Sequence, residues 1–215
     1  MKKLMLIVIS LALMLLFVSC GNKNAENQAV TDNSKGQEKT SGETASKEGK
    51  HPMVTISVKD YGDMVFELYS EDAPITVDNF IKLANKGFYE AKIFHRVYKG
   101  FMIQGGSSDG MGYAGSDETI KGEFSSNGVN NSLSHVRGVI SMARSPQDPD
   151  SASSQFFICD ADSTFLDGSY AAFGKLVEGF DVLDKIADTE VTYNSAGEKS
   201  SPLVPPVISK VVVNK

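Results

Sequence analysis

The sequence predicts a mainly β domain, a closed barrel whose open ends are plugged by two helices. Two observations lead there. Runs in which apolar and polar residues alternate recur from Met53 to Val213, separated by Gly- or Asn-rich loops. Only two stretches show the 3.6-residue spacing of an amphipathic helix. A two-sheet sandwich has the same signature and stays open at this level.

Val54, Ile56 and Val58 alternate with polar residues, as a half-buried strand requires. After a turn at Asp60-Tyr61-Gly62 the alternation repeats at Met64, Phe66 and Leu68. Val77, Phe80, Ile81 and Ala84 fall at i, i+3, i+4 and i+7, which predicts a helix with Thr76 as N-cap and Gly87 as its stop. Strand-like runs follow at 93–98, 101–104, 138–142, 155–160, 171–177 and 207–213. Between the last two, Val182, Leu183, Ile186 and Ala187 form the second helical stripe.

The N-terminus has a different character. Lys2 and Lys3 precede an apolar run from Leu4 to Val18, which ends in Ser19-Cys20-Gly21. The run is short for a membrane span, which needs about 20 apolar residues. A charged start, an apolar stretch and small residues before a Cys resemble a bacterial lipobox. The resemblance implies a signal peptide over 1–19, cleavage before Cys20 and a lipid on that residue; Phe17 departs from the usual Leu. Residues 20–50 hold one large aliphatic, Val30, and no aromatic. Such a stretch buries too little apolar surface to offset its ordering entropy and is expected to be a disordered tether. The folded domain is assigned to 51–215. With Cys20 lipidated, Cys159 has no partner within the chain, so no disulfide framework is expected. A net charge of −6 and a pI near 5.1 argue against a nucleic-acid partner.

Five motifs then occur in order: Phe94-His95-Arg96-Val97; Gly100-Phe101-Met102-Ile103-Gln104-Gly105-Gly106; Gly138-Val139-Ile140-Ser141-Met142-Ala143-Arg144; Ser153-Ser154-Gln155-Phe156-Phe157-Ile158; and Phe165-Leu166-Asp167-Gly168, leading into Phe173-Gly174-Lys175. In order and spacing they resemble the cyclophilin-type peptidyl-prolyl cis/trans isomerases, over roughly residues 53–213. The resemblance implies a closed, eight-stranded antiparallel β-barrel capped by two α-helices, and isomerase activity on Xaa-Pro bonds without a cofactor. Carried over by position, it implies that Arg96 is the catalytic arginine. Phe101, Met102, Phe157 and Leu166 would form the proline pocket. Gln104, Gln155 and the Ala143-Arg144 backbone would hold the substrate chain. Phe165 stands where many family members carry Trp, Tyr170 where many carry His, and Ser107 where Asp often follows Gln-Gly-Gly.

Strand alternation agrees with one binding surface. Met102 and Gln104 share a face, as do Gln155 and Phe157, while Phe156 and Ile158 point into the barrel. By the same rule His95 and Arg96 point to opposite faces. The chemistry needs no nucleophile or proton donor, because peptide rotation breaks no bond; its barrier is about 18–20 kcal/mol. An always-charged guanidinium can donate to the prolyl nitrogen once twisting localises its lone pair there.

Other readings are weaker. His51, His95 and His135 lack metal-ligand spacing. Gly106-Ser107-Ser108-Asp109-Gly110 fits G-x-S-x-G, and Gly110-Met111-Gly112-Tyr113-Ala114-Gly115 fits G-x-G-x-x-G. Both require a following helix, and Ser116 to Phe124 has no apolar stripe. The expected protein is a monomeric, lipid-anchored, extracytoplasmic bacterial isomerase that assists folding of secreted or surface chains. The alternative is a proline-peptide binding module or holdase with little turnover.

Overall fold

The computed structural model describes residues 51–214. The predicted signal segment 1–19, the lipidation residue Cys20 and the tether over 20–50 lie outside the described residues. Twelve regular elements follow in order: β1 Met53–Val58, β2 Gly62–Leu68, α1 Pro74–Asn85, β3 Phe94–Tyr98, β4 Met102–Gly105, β5 Val139–Met142, β6 Phe156–Cys159, β7 Ala172–Glu178, α2 Phe180–Ala187, β8 Val191–Tyr193, β9 Lys199–Pro202 and β10 Ile208–Asn214. Eight strands form one antiparallel sheet in the order β10-β1-β2-β7-β5-β6-β4-β3, and β8 and β9 form a separate hairpin.

The sheet is an open half-barrel, which corrects the expectation of a closed one. Its edges, β3 and β10, meet at one end only, through a single bridge between Ile93 and Val207. Nearby, the Phe94 N–H donates to the Pro206 carbonyl and the Ala91 N–H to that of Ile208, each at 2.9 Å. With 93 opposite 207, closure would set 94–98 against 206–202. Pro202, Pro205 and Pro206 lie in that stretch and have no N–H to donate, so the ladder stops. β3 then runs beside β9 instead.

The concave side holds the main core. Phe66, Phe94, Phe156, Ile158 and Phe173 of the sheet pack there with Val77 and Phe80 of α1 and with Leu183 and Ile186 of α2. A second apolar cluster lies on the other face, built on Met102, Val139, Phe157, Cys159 and Ala172. The middle strands are thus buried on both sides, which is why β5 and β6 are apolar or small throughout. Cys159 is fully buried in that second cluster, and burial pushes its thiol up to about 12.

Two local expectations change. Thr76 does not cap α1: the helix starts at Pro74, and the N-cap, Ala73, makes no side-chain hydrogen bond. Glu123, from a distant loop, supplies the acceptors instead. The chosen stop holds, because Gly87 has φ 69° and its N–H donates to the Ala84 carbonyl at 2.9 Å. His95 and Arg96 do not oppose each other. Phe94 pairs with Gly105 but Arg96 pairs with Gln104, so β3 carries one extra residue at His95. Phe94 and Val97 therefore both enter the core, and the two residues between them both stay outside it. No helix forms between Gly105 and Ser125, so neither glycine motif has the context its chemistry needs.

Candidate active site

β3, β4 and β6 lie side by side, which sets Arg96 opposite Gln104 and Gln104 opposite Phe157. Their outward side chains, with the ends of the following loops, enclose a cavity of about 160 Å³. Nine of the residues singled out in the sequence line it: Arg96, Phe101, Met102, Gln104, Ala143, Arg144, Phe157, Leu166 and Tyr170. Drug-sized ligands use roughly 300–1,000 Å³, so this slot suits one small side chain or ring. Phe157 is its most deeply buried aromatic, held edge-on by Tyr170 at 5.8 Å and stacked on His135 at 5.9 Å.

The other two expected residues sit differently. Gln155 lines an adjoining cavity with Gln104, Tyr113, Ala143 and Arg144. Its amide donates to the carbonyls of Gly112 and Ala114, and it accepts from Gln104 at 3.1 Å. Phe165 does not line the slot: it is 73% exposed and lies against the outer side of Phe101, 5.6 Å between centroids. The Arg144 side chain is held at the slot's rim, donating to the Ser169 carbonyl and lying over Tyr170 at 4.9 Å.

Arg96 dominates the electrostatics. Its guanidinium lies 5.7 Å from the Phe101 ring centre. Nε and Nη2 each donate to Glu198 at 2.6 Å, while Nη1 makes only long contacts to Gln104 Oε1 at 3.4 Å and Met102 Sδ at 3.7 Å. The Arg96 hydrogen bonds hold the Glu198 carboxyl down at about 2, so Glu198 is a carboxylate at neutral pH. Burial pushes the neighbouring His95 down to about 4, leaving it neutral there.

The sequence reading missed Glu198 and the support beneath Phe157. His135 is fully buried; its Nδ1–H donates to Asp167 at 2.8 Å and its Nε2 accepts from the Ser141 hydroxyl at 3.0 Å. Burial lowers its pKa despite that carboxylate. Asp167 and Ser141 both belong to recognised motifs, which was the available signal. Glu198 had none: it stands 102 residues from Arg96 in a polar turn.

An apolar slot beside an ionised, immobilised cation, with amides lining the approach, defines a class. Such a site has room for one ring-sized side chain, and none of the residues lining it is a Ser, Thr or Cys. The chain belongs to the cyclophilin-type peptidyl-prolyl cis-trans isomerase family, whose model matches residues 53–213. It is 40% identical to the peptidyl-prolyl cis-trans isomerase B of Escherichia coli over 172 residues, which is 76% of this chain and all of that one. The isomerase A of Dickeya dadantii is also 40% identical, over 77% of this chain and 85% of its own. Among solved structures, a Cryptosporidium parvum cyclophilin, crystallised in the presence of the dipeptide Ala-Pro, superposes with a TM-score of 0.66 at 32% identity. That match covers 76% of this chain and 99% of the other.

Proposed function

We propose that this isomerase accelerates Xaa-Pro rotation by seating the proline ring in the Phe101, Met102, Phe157 and Leu166 slot beneath Arg96. The arrangement that carries the reading is the position of Nη1, turned toward the slot with only long, weak partners. A planar amide nitrogen offers it no acceptor. As the bond twists, the lone pair localises on nitrogen and accepts from Nη1, so the interaction grows only in the transition state. One charge-assisted hydrogen bond is worth about 1.5–3 kcal/mol, or one to two decades in rate. The slot adds a second effect: planar resonance separates charge, and a water-poor site stabilises that form less than water does. Gln104 and Gln155 hold the flanking chain while the carbonyl before proline swings.

NMR exchange spectroscopy on a Xaa-Pro peptide tests this, comparing the protein with its Arg96→Ala variant. Cis/trans exchange should fall by about ten- to a hundredfold while peptide affinity changes little. A variant that turns over normally removes Arg96 from the chemical step. A wild-type protein that binds without exchange is a binding module instead.

The cellular reading extends this. A lipid on Cys20 would tether a monomeric domain outside the cytoplasm of a bacterium through the 20–50 spacer, over chains leaving the membrane. Uncatalysed Xaa-Pro isomerisation takes roughly tens to hundreds of seconds, long enough to hold up their folding.

A further inference from the structure

We infer that Glu198 is a positioning residue for the isomerisation step, selecting which N–H groups of Arg96 face the prolyl nitrogen. The inference rests on the role of Arg96 given above. A guanidinium has five N–H donors on a side chain with several rotatable bonds, so charge alone does not aim it. Here the two short contacts lie on one edge, Nε and Nη2 against the two oxygens of Glu198, each at 2.6 Å. The remaining edge, Nη1, faces the slot through contacts of 3.4 and 3.7 Å that a substrate can displace. A two-point clamp of this kind fixes the guanidinium plane as well as its place.

Glu198 is itself held. The Ser200 hydroxyl donates to Oε2 at 2.6 Å, and the Glu198 N–H donates to Asn194 Oδ1 at 3.0 Å. Gly197, at φ 79°, makes the turn before Glu198, whose carbonyl accepts from the Asn194 N–H at 2.8 Å and so ties it into the hairpin. The β8–β9 hairpin adds no strand to the main sheet and packs along β3, the strand bearing Arg96. Both partners are only about 30% exposed, at 30% for Arg96 and 29% for Glu198. An ordinary surface pair sits in full water and holds nothing in place.

The test is a double-mutant cycle, with on-enzyme exchange rate, peptide affinity and melting temperature measured for wild type, Glu198→Ala, Arg96→Ala and the double variant. Glu198→Ala should lower the exchange rate about tenfold with affinity within about twofold, because aim is lost and the slot is not. In the Arg96→Ala background the same change should do nothing further. Glu198→Gln, which keeps the size and one acceptor oxygen, should fall between and guards against a misfolded alanine variant. Equal loss in both backgrounds, or a Glu198→Ala rate within about twofold of wild type while Arg96→Ala is crippled, overturns the positioning role and leaves Arg96 standing. A fully active Arg96→Ala protein overturns both.

Discussion

Replacing Glu123 by alanine is expected to unseat the first turn of α1. Glu123 is 2% exposed, and its carboxyl oxygens accept from the Ile75 N–H at 3.0 Å, the Thr76 N–H at 2.8 Å and the Thr76 hydroxyl at 2.7 Å. No side chain at the N-cap substitutes for it. The three contacts do not count equally once the carboxyl is gone. Ile75 is 44% exposed, so its N–H can turn to water. The Thr76 hydroxyl can rotate. Thr76 is fully buried, so its N–H is left without an acceptor, at about 1–3 kcal/mol, and loss of the cap adds about 1 kcal/mol. The sum is about 3 kcal/mol. With a urea m-value of about 2 kcal/mol/M for a domain of this size, the midpoint should drop by about 1.5 M. Glu123→Gln keeps one acceptor and should lose about half as much. Equilibrium urea unfolding followed by circular dichroism measures both. A shift below about 0.5 M for alanine, or equal shifts for alanine and glutamine, refutes the account.

Two further expectations concern the chain outside the slot and its response to acid. Radiolabelled palmitate should be incorporated into the full chain and not into its Cys20→Ala variant; a wild-type protein that takes up no label removes the lipid anchor. Stability should fall on acidification from about pH 6.5 toward 4.5, before the carboxylates titrate. The sign follows from two histidines whose folded pKa lies below the unfolded value, His95 at about 4 and His135 also lowered. Their contribution is complete above the unfolded pKa and is lost as pH drops toward the folded one, at up to about 1.4 kcal/mol per pH unit for each proton. His51 runs the other way, raised chiefly by its hydrogen bond to Glu67, so its contribution is present in acid and fades as pH rises. A melting temperature flat from pH 7 to 4.5 contradicts this balance.

Most strands were legible because period-two alternation records which face meets a core, as at Val54, Ile56 and Val58. β5 and β6 do not alternate in burial; their short apolar runs placed them as strands, and their motifs told which residues face the slot. The β8–β9 hairpin was invisible for the opposite reason: Val191–Tyr193 is three residues long, with no fully buried side chain. Alternation also assumes one residue per rung, so the extra residue at His95 reversed the expected facing of β3. Closure failed because three prolines fall where a ladder would run, a fact readable only once 93 is known to face 207. The slot itself was legible through short contiguous motifs. Its clamp was not, since an acid in a polar turn carries no mark of the arginine it will meet. The cap on α1 was hidden in the same way, with Glu123 47 residues from Thr76.

Cys159 sits behind the slot wall with no exposed surface, and its thiol is held near 12. Thiolate, the form that attacks disulfides and oxidants, is then almost absent at neutral pH. Among the described residues Cys159 is the one free cysteine, and its burial makes it slow to react with ambient oxidants or disulfides.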